Sequence, residues 1–313
     1  MRSSVAFCPA GISSFFEPCT RDTKGKPLND PAKIGARGGG FVISSGVTAR
    51  VVIRKRHQTR IKIRINSKQH EASTTRAAIS QLLSDYGLAL NVDVDIRVEV
   101  PIAAGFGTSA AGTLASCFAV TDAADLPVTF NQVGVAAHVA EVLNGTGLGT
   151  VSALLCGGFV LVKEPGAPGV GLVDRLRFPS HHSLLCAYLG PIQTREALFE
   201  KGQEVERRLR ARCTIETIIK SPTLPVFLTE SRKFGRRAGF ETPRISRLIS
   251  TMISVGAVGA AQNMIGEAVH AVVEDSKVKE AVNTVRKAFP EANVFASRIE
   301  DRGVRFLKEN ANH

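Results

Sequence analysis

Apolar and polar residues alternate most strictly over Val92–Val100, where Val92, Val94, Ile96, Val98 and Val100 interleave with Asp93, Asp95, Arg97 and Glu99. A period of two predicts a strand with one buried face. Before it, Glu71–Tyr86 reads as a helix with Ala78, Ile79, Leu82 and Leu83 on one side and Gly87 as its stop. After it, the small apolar residues of Ser109–Ala119 predict a buried helix and Thr129–Leu143 a second one, broken by Gly145–Gly149. Val151–Cys156 resumes as a short helix, and Gly158–Lys163 reads as a strand. Nearer the N-terminus, Val5–Phe7 is a short apolar run, Gly11–Cys19 a loop and Arg21–Pro31 an exposed turn. Phe41–Ser45 and Val47–Arg56 form a pair of strands around Gly46.

From about His181 the character changes. Ser183–Leu189 reads as a strand and Arg195–Arg212 as a charged amphipathic helix with Ala197, Leu198, Val205 and Leu209 inward. Ile245–Ile253, Ala257–Val273 and Lys277–Phe289 give three further helices. Asn293–Ile299 and Val304–Leu307 close the chain as two strands about Asp301-Arg302-Gly303. A chain of 313 residues has room for two cores. The expectation is two α+β modules, residues 1–180 and 181–313.

Charge narrows the partners. The formal net charge is +12, which favours anions: nucleotides, phosphorylated or carboxylated metabolites, RNA or membrane headgroups. In the densest basic stretch, Ile61, Ile63 and Ile65 alternate with Arg60, Lys62 and Arg64. That is a strand with one basic face, read first as solvated and otherwise as steering substrate or meeting RNA. No aromatic residues interleave with those bases, so the stacking platform of a single-strand binder is absent and nucleic acid is a poor fit. Six scattered cysteines without a CxxC pair read as reduced thiols. The start Arg2-Ser3-Ser4 does not read as a leader, and no stretch is long and apolar enough for a membrane span. The expected location is cytoplasmic.

The segment Pro101-Ile-Ala-Ala-Gly-Phe-Gly-Thr-Ser-Ala-Ala-Gly112 carries the chemistry. It joins a strand to a helix, the setting in which a glycine-rich loop binds phosphate. Gly105 and Gly107 let backbone amides turn inward, Thr108 and Ser109 supply hydroxyls, and the first-turn amides of the helix favour an anion. No Asp or Glu occurs between Val100 and Thr121 to repel polyphosphate. It is neither a Walker A loop nor GxGxxG, since Ala110 stands where the third glycine would be. A tight strand–helix turn packed on a sheet is the competing reading.

Pro101–Gly112 resembles the second signature of the GHMP kinases. Other pieces narrow the resemblance to the archaeal pantoate kinase family: Phe7–Phe16, Gly35–Gly40, Ala137–Gly149, Gly157-Gly158, Pro165–Pro168 and, more loosely, Gln262–Gly266. The resemblance implies a two-domain α+β fold with an N-terminal half like ribosomal protein S5 domain 2 and a ferredoxin-like C-terminal half. It implies ATP-dependent phosphorylation of (R)-pantoate to (R)-4-phosphopantoate for coenzyme A synthesis, with Mg²⁺, and suggests a homodimer. ATP phosphates would lie on Pro101, Gly105, Phe106, Gly107, Thr108, Ser109, Ala110, Ala111 and Gly112.

Glu141, near the end of its helix, is the carboxylate for the metal, with Ser109 or Thr108 adding a hydroxyl; as a bare residue it could equally be a solvated helix position. His138, one turn earlier, reads as packing. Arg37 among glycines is the main cation for the substrate carboxylate, or else a brace for its turn, and Lys163 is a second cation. Ser13 and Ser14, with Phe15, would line the substrate pocket.

Two positions depart from the family's pattern. Thr150 stands where the family usually has Asp, the base or anchor for the acceptor hydroxyl, and Ala36 stands where it usually has Ser. Threonine is no general base near neutral pH, so catalysis would rest on positioning and metal or on another acid such as Glu17. The alternatives are a related kinase for another small hydroxy acid, such as a mevalonate derivative, and a nucleotide-binding homologue without catalysis.

Overall fold

A computed structural model describes residues 1–190, 204–264 and 266–308. Two antiparallel strands, β1 (Arg2–Cys19) and β2 (Gly35–Lys55), pair along almost their whole length. Gly11–Cys19, expected as a loop, is the second half of β1, and β2 runs unbroken through Phe41–Ser45 and Val47–Lys55, expected as two strands around Gly46. The chain instead stays extended and absorbs the irregularity as bulges between Pro9 and Ala10 and between Ser13 and Phe15. The glycines of β2 are there for closeness: a Cβ on Gly40 would fall 1.7 Å from the Ile12 carbonyl oxygen.

The rest of the first sheet grows from β2. Its far half pairs with β5 (Leu90–Val98), and β5 pairs in parallel with β3 (Arg60–Ile65), which meets the short β4 (Lys68–Gln69). Its near half pairs with β6 (Phe159–Glu164), which pairs with β7 (Leu172–Leu176). Over one face lie α1 (Ser73–Asp85), α2 (Thr108–Ala123), α3 (Phe130–Asn144) and α4 (Thr150–Cys156). Helix α2 is apolar all round because it is buried all round, from Ala110 to Thr121. Helix α3 starts on a capping box between Thr129 and Gln132 and ends on Gly145 in the left-handed conformation.

The second sheet has the order β11–β8–β10–β9, from β8 (His182–Gly190), β9 (Gly259–Gln262), β10 (Glu267–Glu274) and β11 (Asn293–Ser297). It is covered by α5 (Glu204–Lys220), α6 (Leu224–Arg237), α7 (Pro243–Ser254) and α8 (Val278–Ala288). One expectation is corrected here, and the two closing strands, present as expected, go to different sheets. Ala257–Val273 is not a helix but the hairpin β9–β10: β10 is buried on both faces, so its apolar run shows no alternation to betray the strand. The two closing strands do not pair with each other. β11 joins the second sheet, and β12 (Arg305–Leu307) returns to the first beside β1. The start of the helix read over Arg195–Arg212 lies outside the described residues, and the helix that is described continues to Lys220.

An aromatic cluster ties the two layers together. Phe41 stacks on Phe159 at 4.7 Å between centroids and meets Phe227 of α6 and the His270 ring of β10 edge-on. Phe41→Ala is expected to cost about 3–5 kcal/mol of unfolding free energy, read from a urea melt. A shift in the midpoint with an unchanged slope is the expected form.

Candidate functional site

Strand β5 ends at Val98, and the loop it feeds turns into α2 at Thr108. Three loop residues have positive φ: Ala103 at 57°, Gly105 at 75° and Gly107 at 61°. Phe106 points its ring inward, 1% exposed and 5.4 Å from Phe295, so the backbone either side is held up toward solvent. The Phe106 carbonyl accepts from the Gly11 amide at 3.1 Å, which fastens the loop to β1. Gly107 caps α2 without any side-chain partner for the first-turn amides. Those free donors and the positive helix end face an open cavity, as an anion site requires.

That cavity, about 460 Å³, lies between the loop, β1, β2 and the Asn144–Thr150 turn. Its lining includes Gly105, Phe106, Gly107, Thr108 and Ser109, and among the described residues Arg37 is its one ionisable side chain. Ala110, Ala111 and Gly112 are buried within α2 behind it and can contribute only backbone. Pro101 is outside the lining, whereas Ile102, half exposed, is part of it.

Glu141 lies just behind the wall, outside the lining but bonded to Ser109 and Thr146, which belong to it. It is 2% exposed, and no Lys, Arg or His lies within ion-pair distance of it among the described residues. Its Oε1 accepts from Ser109 at 2.6 Å and from Thr146 at 2.9 Å. Burial pushes its carboxyl above the ordinary value, and the two hydroxyl donors only partly offset this. Gly147 sits against the other oxygen: a Cβ there would be 2.1 Å from Oε2. An uncompensated buried carboxylate beside a serine and a glycine-rich loop with free amides suits a divalent cation. Magnesium in particular takes one or two protein oxygens and completes its shell with phosphate and water. No cluster of three or more His, Cys, Asp or Glu residues occurs among the described residues, so any ion here would lean on the nucleotide in this way.

On the acceptor side the sequence candidates separate. Ser13 lines the cavity. Ser14 does not: it is fully buried and its Oγ meets His270 Nε2 at 2.9 Å. Alternation along β1 turns one serine out and its neighbour in. Arg37 lines the cavity, but its Nε donates to the Lys163 carbonyl at 3.1 Å, its Nη2 to Glu164 at 3.1 Å, and Glu17 lies 3.8 Å away. Lys163 turns its amine to Asp174 at 3.3 Å and is not in the lining. Glu17 is buried against Arg37 and outside the lining as well. His138 bonds the Ile34 carbonyl at 2.8 Å and is held neutral by burial, a packing role as expected.

Thr150 opens α4 on the cavity wall with its methyl toward Gly107 and Gly11. Ala36 lines the same cavity and packs on the preceding residue, since a Cβ on Gly149 would lie 3.5 Å from the Ala36 Cβ. The two departures from the expected motif therefore both line the one cavity. Sequence reasoning missed Thr146 and Gly147, which hold Glu141, although both lie in the Gly145-Thr-Gly-Leu-Gly149 segment it had marked. Asn263, within the Gln262–Gly266 segment but not singled out there, packs on the glycine loop 3.0 Å from where a Gly105 Cβ would be.

Comparison with known proteins agrees with this geometry. The family described as GHMP kinases N terminal domain matches residues 73–158, which include the loop, α2, α3 and Glu141. The chain is 29% identical over 306 residues to the pantoate kinase of Thermococcus kodakarensis, covering 94% of this chain and 96% of that one. It is 28% identical to the pantoate kinase of Methanospirillum hungatei, covering 97% and 96%. A solved structure described as a phosphotransferase related to the CoA biosynthesis pathway matches with a TM-score of 0.87 at 23% identity over 98% of this chain and 99% of that one. Homoserine kinase from Cytophaga hutchinsonii matches with a TM-score of 0.71 at 17% identity, over 98% of each. The structural matches share the two-domain α+β architecture. No helix among the described residues is long and apolar enough to cross a membrane.

Proposed function

We propose that the chain is a kinase of the GHMP superfamily that transfers the γ-phosphoryl group of ATP to the primary hydroxyl of (R)-pantoate. The observation that carries this reading is the convergence on one cavity of the glycine loop, the N-terminus of α2 and Ser109, with the buried Glu141 bonded to Ser109 directly behind it. Pantoate as acceptor is supported by the two pantoate kinases that match the chain from end to end and by a cationic lining at Arg37.

Phosphoryl transfer passes through a loose transition state, so alignment and charge compensation dominate over covalent help. The first-turn amides of α2 and the amides around Gly105 and Gly107 would hold the phosphate oxygens. Glu141 and Ser109 would hold Mg²⁺, which when bound neutralises phosphate charge. Thr150 can orient the acceptor hydroxyl by a hydrogen bond but cannot keep its proton. Little basicity is needed while the transferring group is still metaphosphate-like, because the hydroxyl proton is lost late.

For Arg37, the proposed role is to pair with the acceptor carboxylate in place of Glu164, which is largely exposed and holds it weakly. Arg37→Ala should raise the acceptor KM about tenfold or more with a smaller change in kcat. Lys163→Ala should leave both within about twofold. Steady-state kinetics on the two variants decide between those assignments.

Ala36 and Thr150 in the cavity lining favour a second reading, a sister kinase whose acceptor is another small hydroxy acid. ADP release measured side by side with pantoate, mevalonate, mevalonate phosphates, homoserine and shikimate separates the two. Pantoate should give the highest kcat/KM. A higher value for another acid, with pantoate inert, would replace it.

A further inference from the structure

Three buried side chains outside the cavity connect its two sides. Ser14 of β1, His270 of β10 and Asn263 of the β9–β10 turn are all fully buried. Asn263 Oδ1 lies 2.8 Å from His270 Nδ1, and His270 Nε2 lies 2.9 Å from Ser14 Oγ. An amide oxygen can only accept, so Nδ1 carries the proton and Nε2 accepts from the serine hydroxyl. Burial holds the imidazole neutral, its pKa lowered to about 3. A second tie runs beside it, from the Met264 amide to the Ser13 carbonyl at 2.8 Å.

At its other end the turn presses on the phosphate loop. Asn263 and the Met264 carbonyl are each 3.0 Å from the position of a Gly105 Cβ, and a Cβ on Gly266 would be 2.6 Å from the Ala104 carbonyl. Asn263 Nδ2 is buried and has no hydrogen-bond partner among the described residues. A buried donor left unpaired costs stability, so its presence against a ligand loop needs a reason.

We propose that Ser14, His270 and Asn263 form a positioning relay that couples the nucleotide-filled phosphate loop to the acceptor strand β1. Filling the loop fixes the Ala104–Gly105 backbone against which the Asn263 side chain and Gly266 pack, and the imidazole passes the resulting constraint on Asn263 to Ser14. The reading rests on ATP occupying this loop but not on which acid is the acceptor.

The test is the affinity for a non-hydrolysable ATP analogue, by calorimetry on the whole chain, for Ser14→Ala, Asn263→Ala and the double variant, each with its melting midpoint. Ser14 does not line the cavity, so Ser14→Ala should weaken the analogue only through the relay, by about fivefold. Asn263→Ala should weaken it comparably, and the double variant little further, because both break one connection. In the unaltered chain the His270 ring nitrogens and the Asn263 amide should shift in ¹⁵N spectra when the analogue binds. Native affinity in Ser14→Ala, multiplicative losses in the double variant, losses that merely follow the melting midpoint, or unmoved ¹⁵N resonances would overturn the relay. Failure of the unaltered chain to bind the analogue would sink the relay and the ATP reading together. Tight binding with an intact relay but no pantoate turnover would sink the acceptor assignment alone.

Discussion

Glu141→Gln is expected to lower kcat by about 10³-fold or more while leaving the unliganded chain at least as stable as before. Both halves follow from one fact, the burial of a carboxylate with only two hydroxyl donors. Burial raises the folded pKa above the ordinary 4.5, so the protonated form is the one the unliganded fold prefers. That stabilisation is complete below the ordinary value and is lost as the pH rises through the raised one. Glutamine stays neutral throughout. The variant should therefore melt near the native chain in acid and above it at alkaline pH. With Mg²⁺ and ATP the order reverses, because the native chain gains ligand stabilisation that the variant cannot. Melting curves at two pH values, with and without Mg-ATP, read the whole pattern. A variant destabilised at alkaline pH without ligand would make Glu141 a structural residue instead.

Gly107→Ala is the second large effect. At φ 61° a side chain strains the backbone, and its Cβ would fall 2.7 Å from the Thr150 methyl and 3.3 Å from the Gly11 carbonyl. The stability cost should be about 1–2 kcal/mol, while the ATP KM should rise about 100-fold, because the displaced loop no longer aims its amides. Adding Thr150→Ser removes the contacting methyl but not the φ strain. The double variant should regain part of the stability, with ATP binding still at least about tenfold weakened. Full recovery of ATP binding would mean that packing, not backbone aim, is what the glycine protects.

What could be read from the sequence follows from how local each signal is. The β5–loop–α2 unit was legible because strict alternation, two glycines and a run of small apolar residues all lie within Val92–Ala119. Helix α3 was legible as Thr129–Leu143 from its stop at Gly145, and the structure adds the cap that starts it, Thr129 with Gln132. The hairpin β9–β10 was not, because a strand buried on both faces carries no period. The long course of β1 and β2 was hidden by glycines that usually mark turns and here permit close pairing. In the site, Glu141 could be named from its place on a helix, but its holders Thr146 and Gly147 depend on the chain doubling back after the left-handed Gly145. Arg37 could be named as a cation, whereas its partners come from β1 and β6. Ser14 and His270 are 256 positions apart, and no local pattern connects them.

The central claim is acceptor-dependent phosphoryl transfer at the Gly105–Ser109 loop. ADP release with Mg-ATP and (R)-pantoate, with the product mass taken from the same reaction, tests it most directly. The account predicts ADP formation that requires pantoate, one phosphorylated pantoate per ADP, and loss of both in Glu141→Gln. ATP bound and retained without any pantoate-dependent ADP, or turnover untouched by Glu141→Gln, would contradict it.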